Sequence, residues 1–124
     1  MPFDWRAYLD LAQTLAQPQA TNAMAEAAQR TAVSRAYYAV FGWTRYRSVH
    51  LFNFTPTGTA RDHALLRQYL QRMGKGRIAS FLNQLRIWRN NCDYRDHVPN
   101  LGNVVQNSLH LAQRAIQEVS RWQK

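Results

Sequence analysis

An all-α fold is what this sequence predicts, and three observations predict it. Apolar residues recur at helical spacing through most of the chain. The five glycines and four prolines fall mostly between those periodic stretches, leaving the stretches long and unbroken. Nowhere do apolar and polar residues alternate as in a half-buried strand, and no segment repeats. The expected architecture is an up-and-down four-helix bundle with a short extra N-terminal helix, one domain over residues 1–124. A chain of 124 residues can enclose one modest core.

The elements follow in order. Behind Asp4, residues Trp5, Tyr8, Leu9, Ala12 and Leu15 share a helix face until Pro18 stops it. A long second helix is expected over 20–49, with Met24, Ala27, Ala28, Thr31, Tyr38, Phe41 and Arg45 on related turns. The stretch HLFNFTPTG, which contains His50, reads as an aromatic loop. Thr59 with Asp62 forms a capping-box pattern opening a third helix through Leu66, Leu70 and Met73. Gly74-Lys75-Gly76 is a turn and not a phosphate loop, because no strand precedes it and no Gly-Lys-Ser/Thr follows. The fourth helix begins near Arg77 and carries Ile78, Phe81, Leu82, Leu85 and Trp88. Pro99 and Gly102 mark a break before a fifth helix with Leu101, Val105, Leu109, Ala112, Ile116 and Val119. The tail after Ser120 is expected to fray, with Trp122 docking on the bundle.

Charge and composition narrow the function. Sixteen Lys+Arg against seven Asp+Glu give a net charge of +9, and fourteen of the sixteen are arginine. Arginine makes planar, bidentate contacts to phosphate and carboxylate and stacks on aromatic rings, so a polyanionic partner is implied, nucleic acid before acidic protein. No apolar run is long enough to cross a bilayer, and the N-terminus lacks signal-peptide character, so the expectation is a cytoplasmic protein without a membrane role. Cys92 is the single cysteine, which excludes an internal disulfide. No His/Asp/Glu group has metal-ligand spacing, and neither a metal nor a cofactor is expected.

Two motifs are more specific: SRAYYAVF, from Ser34 on the second helix, and LRIWRNNCDY, ending at Tyr94 on the fourth. Together they resemble the HEPN family of small prokaryotic helical bundles, in the branch with SRxYYAxF and RxxxDY. His63 sits where that branch often has a Thr-His pair, with Asp62 in place of the Thr. The resemblance implies that the second and fourth helices lie side by side. It further implies a polar seam of Arg35, Tyr38, Arg89, Asp93 and Tyr94, with Arg35 sharing the Asp93 carboxylate. Arg89 and Asp93, four apart, suit an ion pair on one helix face. Such a seam can serve as a network that fixes helix register or as a nucleic-acid contact.

Active HEPN proteins are metal-independent ribonucleases with an R-x(4–6)-H pattern. Their His moves a proton and their Arg neutralises the phosphorane. Counted from Arg89, the expected His positions hold Tyr94, Arg95 and Asp96, and His97 falls one residue late. The favoured expectation is therefore a non-catalytic RNA-binding or toxin–antitoxin accessory module. The alternatives are an endoribonuclease using Arg89 with His97, or His63, and a helical module docking an acidic protein. Arg72, Lys75, Arg77, Arg86 and Arg95 are the expected nucleic-acid-binding residues, part of a basic band along one side of the domain. A nucleotidyltransferase-type partner is implied by the resemblance. A homodimer is implied too, and Trp43, Tyr46, Phe52 and Phe54 suggest an aromatic surface for it.

Overall fold

The computed structural model describes residues 2–18 and 21–124. It contains α1 (Ala7–Leu15), α2 (Asn22–Phe52), α3 (Asp62–Arg72), α4 (Gly76–Tyr94) and α5 (Leu101–Ser120), with no strand among the described residues. The all-α class is thus as predicted. The longest element, α2, packs against α1, α4 and α5, while α3 lies against α4.

Local chemistry sets the boundaries. The Asp4 carboxylate accepts the Arg6 backbone N–H at 3.0 Å and its Nε at 2.9 Å, which holds the turn ahead of α1. The expected first residue of the second helix, Ala20, lies outside the described residues; α2 starts at Asn22, where Thr21 Oγ1 accepts the Met24 N–H at 3.1 Å as an N-cap. The helix runs past the expected end at Val49 to Phe52, so His50 lies in its last turn and not in a loop. What stops it is Asn53, in the left-handed region at φ 60°, with both the Asn53 and Phe54 N–H groups directed to the Ser48 carbonyl.

The expected capping box is not built. Thr59 Oγ1 accepts the Arg61 N–H at 3.3 Å, while the Asp62 carboxylate turns back on the loop and accepts from Thr57 N at 2.8 Å, Thr57 Oγ1 at 2.7 Å and Gly58 N at 2.9 Å. A short aspartate cannot make the reach-back of a Glu, and it closes the preceding turn instead. Between α3 and α4, Gly74 (φ 75°) gives the left-handed step of a Schellman closure, with Lys75 N donating to Leu70 O at 2.7 Å and Gly74 N to Gln71 O at 3.2 Å.

The core gathers Ala32, Ala36, Tyr37, Ala39 and Val40 of α2 with Leu66 and Leu70 of α3, Ile78, Leu82 and Leu85 of α4, and Ala112, Ala115 and Val119 of α5. Each fully buried Leu contributes roughly 2 kcal/mol, and the α2 alanines let neighbouring helices approach closely. Met24, Ala27 and Thr31, placed with the second-helix stripe by their spacing, are exposed; the buried face of α2 starts at Ala28. At the C-terminus Trp122 is buried against Phe52. None of the helices among the described residues is long and apolar enough to cross a membrane.

Candidate functional site

The arginines divide into two populations. The first holds the fold. Arg30 gathers the carbonyls of Cys92 (2.9 Å), Arg95 (2.6 Å) and Asp96 (3.0 Å) at the C-terminal end of α4, where cationic donors meet unsatisfied carbonyls and the negative pole of the helix. Arg47 does the same for the end of α5, donating to Trp122 O at 2.6 Å. Arg6 pairs with Asp4 and Arg77 with Glu118.

A second population surrounds one aromatic–histidine contact. Tyr37 is buried on α2, and its hydroxyl hydrogen-bonds Nδ1 of His63 on α3. The His63 ring stacks on Phe41 at 4.1 Å between centroids. Arg89 reaches over Tyr37 (5.2 Å) and Tyr38 (5.4 Å), donating to Tyr38 Oη at 3.3 Å, Asp93 Oδ2 at 3.4 Å and Asn90 Oδ1 at 2.7 Å. Arg67, one turn on from His63, donates to its carbonyl at 3.1 Å. Arg86 is held by Asn83 at 2.9 Å. Arg35 lies over Tyr8 and Tyr38, and Arg45 over Trp5 and Phe41. Among the described residues, Arg89 is the one of these five guanidinium groups with an ion-pair partner.

Electrostatics fixes the protons. Burial pushes the Tyr37 phenol up to about 12, although Arg89 and Arg67 pull against it. Burial also lowers the His63 pKa below its ordinary value, and Arg89, Arg67 and Arg45 lower it further against the opposing Asp62 charge. Asp62 itself is held low by its Thr57 hydrogen bonds, so its charge persists and is occupied in the loop. With both partners neutral at pH 7, one proton is shared between the Tyr37 hydroxyl and Nδ1, given by the phenol when the ring proton is on Nε2 and by the ring when it is on Nδ1. A neutral His63 stands among the guanidinium groups of Arg89, Arg67 and Arg45, whose charge suits an anion.

The expected seam is realised in part. Arg89, Tyr38 and Asp93 come together on facing sides of α2 and α4. Arg35 does not share the Asp93 carboxylate: its guanidinium takes Ser34 Oγ at 3.3 Å and the two tyrosine faces. Tyr94 is outside the seam, 78% exposed at the last turn of α4. His97 lies exposed in the segment after α4, because the helix ends at Tyr94. The histidine that joins the cluster is His63, from α3.

The expected basic band is also broken up. Arg77 is paired with Glu118, and Lys75 sits over Phe52 and Trp122, both lining a cleft beside the end of α5. Arg72 lies over Tyr69, and Arg95 is exposed past α4. The aromatic surface expected for a dimer is largely covered within the chain. Phe54 is buried, Phe52 packs on Trp122, and Trp43 stacks on Tyr46 with Arg6 at 4.2 Å over its ring.

Tyr37 and Arg30 escaped the sequence reading. The helical period could place Tyr37 one step inside Tyr38, but the Glu26–Arg30 i,i+4 pair does not point to the carbonyls Arg30 caps, which lie more than 60 residues away. Among the described residues no group of His, Cys, Asp and Glu side chains gathers where it could hold a metal ion. No family model, curated protein or solved structure matches the chain.

Proposed function

We propose that the chain is a HEPN-like four-helix bundle with a short N-terminal helix, and that it binds single-stranded RNA without cleaving it. One observation carries this reading: Arg45, Arg67, Arg86 and Arg89 act on the Tyr37–His63 pair, Arg35 lies over the neighbouring Tyr38 ring, and among the described residues Asp93 is the only carboxylate in an ion pair with any of them. Such an excess of cationic donors is repaid by phosphates, and the partly exposed Tyr38 edge suits an unpaired base. Homodimerisation and a nucleotidyltransferase-type partner belong to this reading through the resemblance alone. RNA affinity measured by fluorescence anisotropy across a salt series tests it. The expected result is an affinity that falls steeply with salt, with a slope reduced by about 1.4 in Arg67→Ala/Arg86→Ala, since each neutralised phosphate contributes roughly 0.7 on a single strand. Binding indifferent to salt would overturn it.

Cleavage is the second reading, favoured by a neutral histidine beside Arg89 in the cluster. It routes through His63 and not His97. Cleavage in EDTA that vanishes in His63→Ala and survives His97→Ala would establish it.

A further inference from the structure

α3 and α4 meet through Leu66, Leu70, Ile78 and Leu82, and outside that apolar contact they leave a groove of about 340 Å³. Small side chains open it: Ala64 on α3, Ala79 and Ser80 on α4. Around them stand Arg67, Gln68, Gln71, Asn83 and Gln84. Among the described residues, Gln68, Gln71 and Gln84 make no side-chain hydrogen bond, and Asn83 uses only Oδ1, for Arg86. Each free amide offers a carbonyl acceptor and two N–H donors in one plane. The volume is at the small end for sites that enclose a small molecule.

We propose that this groove takes one unpaired nucleobase of a bound RNA strand and reads it by its hydrogen-bonding edge, with the adjoining phosphate held by Arg67 and Arg86. The inference rests on the RNA-binding reading above and adds base preference to it. Phosphate contacts position a strand but carry no sequence, whereas side-chain amides discriminate between bases. Arg67 belongs to both sets: it lines the groove and lies beside His63. A strand anchored at the arginine cluster is therefore led to the amides. A peptide backbone pairs with the same amides but offers no base edge, so binding of a glutamate-rich peptide with indifference to all four bases would assign the groove to an acidic peptide instead.

The test is anisotropy with short RNA homo-oligomers of A, C, G and U of equal length. It is paired with NMR of the Gln and Asn side-chain amide signals during titration with the four ribonucleoside monophosphates. A preference of about tenfold for one base is expected. It should be lost in Gln68→Ala/Gln84→Ala while the salt slope stays as in the parent, and the preferred monophosphate alone should shift the amide signals. Equal affinity for all four bases, or a preference unchanged in the double variant, overturns the groove and leaves the salt-dependent reading standing. Absence of salt-dependent binding to any oligomer overturns both. Ser80→Trp, at an exposed position inside the groove, should abolish the preference by filling it, and circular dichroism verifies that each variant is folded.

Discussion

The hydroxyl of Tyr37 and Nδ1 of His63 share a hydrogen bond, which with the Phe41–His63 stack ties the middle of α2 to the first turn of α3. It joins two groups that burial keeps neutral, in a neighbourhood otherwise rich in guanidinium charge.

Removing the phenol should raise the His63 pKa. With the phenol as donor, the bond exists only while Nδ1 is unprotonated, so it favours the neutral ring. In Tyr37→Phe, NMR titration of the His63 ring should show a midpoint closer to the ordinary value, with a stability loss of about 1 kcal/mol. A midpoint unmoved from the parent's would mean that the bond does not set the proton.

The same ring makes stability depend on pH. His63 has its folded pKa below the unfolded value near 6.5. The unfolded chain therefore takes the proton first as pH falls, and the contribution of a neutral His63 is complete above about pH 6.5 and lost below it. Melting temperature should decline from pH 7 towards 5 in the parent and less in His63→Gln. Parallel curves for the two proteins would contradict this.

Arg30→Lys should destabilise by about 1–3 kcal/mol, since a lysine cannot reach three carbonyls with one planar fork. Chemical denaturation measures it. Amide exchange at the last turn of α4 should quicken in the same variant.

Asp93→Ala should cost about 1 kcal/mol or less. Asp93 is 29% exposed, and Arg89 keeps Tyr38 and Asn90 as acceptors when the carboxylate is gone. A fall of several kcal/mol in thermal melts would show that the guanidinium is left stranded.

Gly42→Ala should loosen α1. A methyl group at Gly42 would overlap ring carbons Cγ, Cδ2 and Cε3 of Trp5. The better helix propensity of alanine returns at most about 1 kcal/mol, and overpacking costs about 1–3 kcal/mol. A net loss is expected, with a red-shifted tryptophan emission, and Trp5→Ala placed in the Gly42→Ala background should lessen the overlap penalty.

The helices were legible because their signals are local. Pro18, the Gly74 turn and the Leu66/Leu70 and Ile78/Leu82/Leu85 spacings each act within a few residues. The end of α2 was missed because Asn53 stops a helix through its left-handed backbone, a weaker mark in sequence than Gly or Pro. At the site, Arg89 and Asp93 were legible as an i,i+4 pair. His63 reaches Tyr37 from another helix, 26 positions away, and spacing says nothing about that. The arginines misled most: a count of charges does not distinguish Arg30 and Arg47, spent on helix ends, from Arg35 and Arg67, which have no carboxylate partner.

The unbroken course of α2 has a consequence for how this chain can tolerate changes in length. Over its 31 residues Arg30 serves α4, Arg35 lies over Tyr8 of α1 and Arg45 over Trp5 just ahead of it, Tyr37 meets α3, and Arg47 serves the end of α5. One inserted residue turns everything beyond it by about 100° and advances it by about 1.5 Å. An insertion between Tyr37 and Gly42 would therefore keep the contacts of one half of the helix only by surrendering those of the other. Single-residue deletions and insertions should be refused along the middle of α2 and accepted around Thr55 and Pro56, where the chain is exposed and outside any helix.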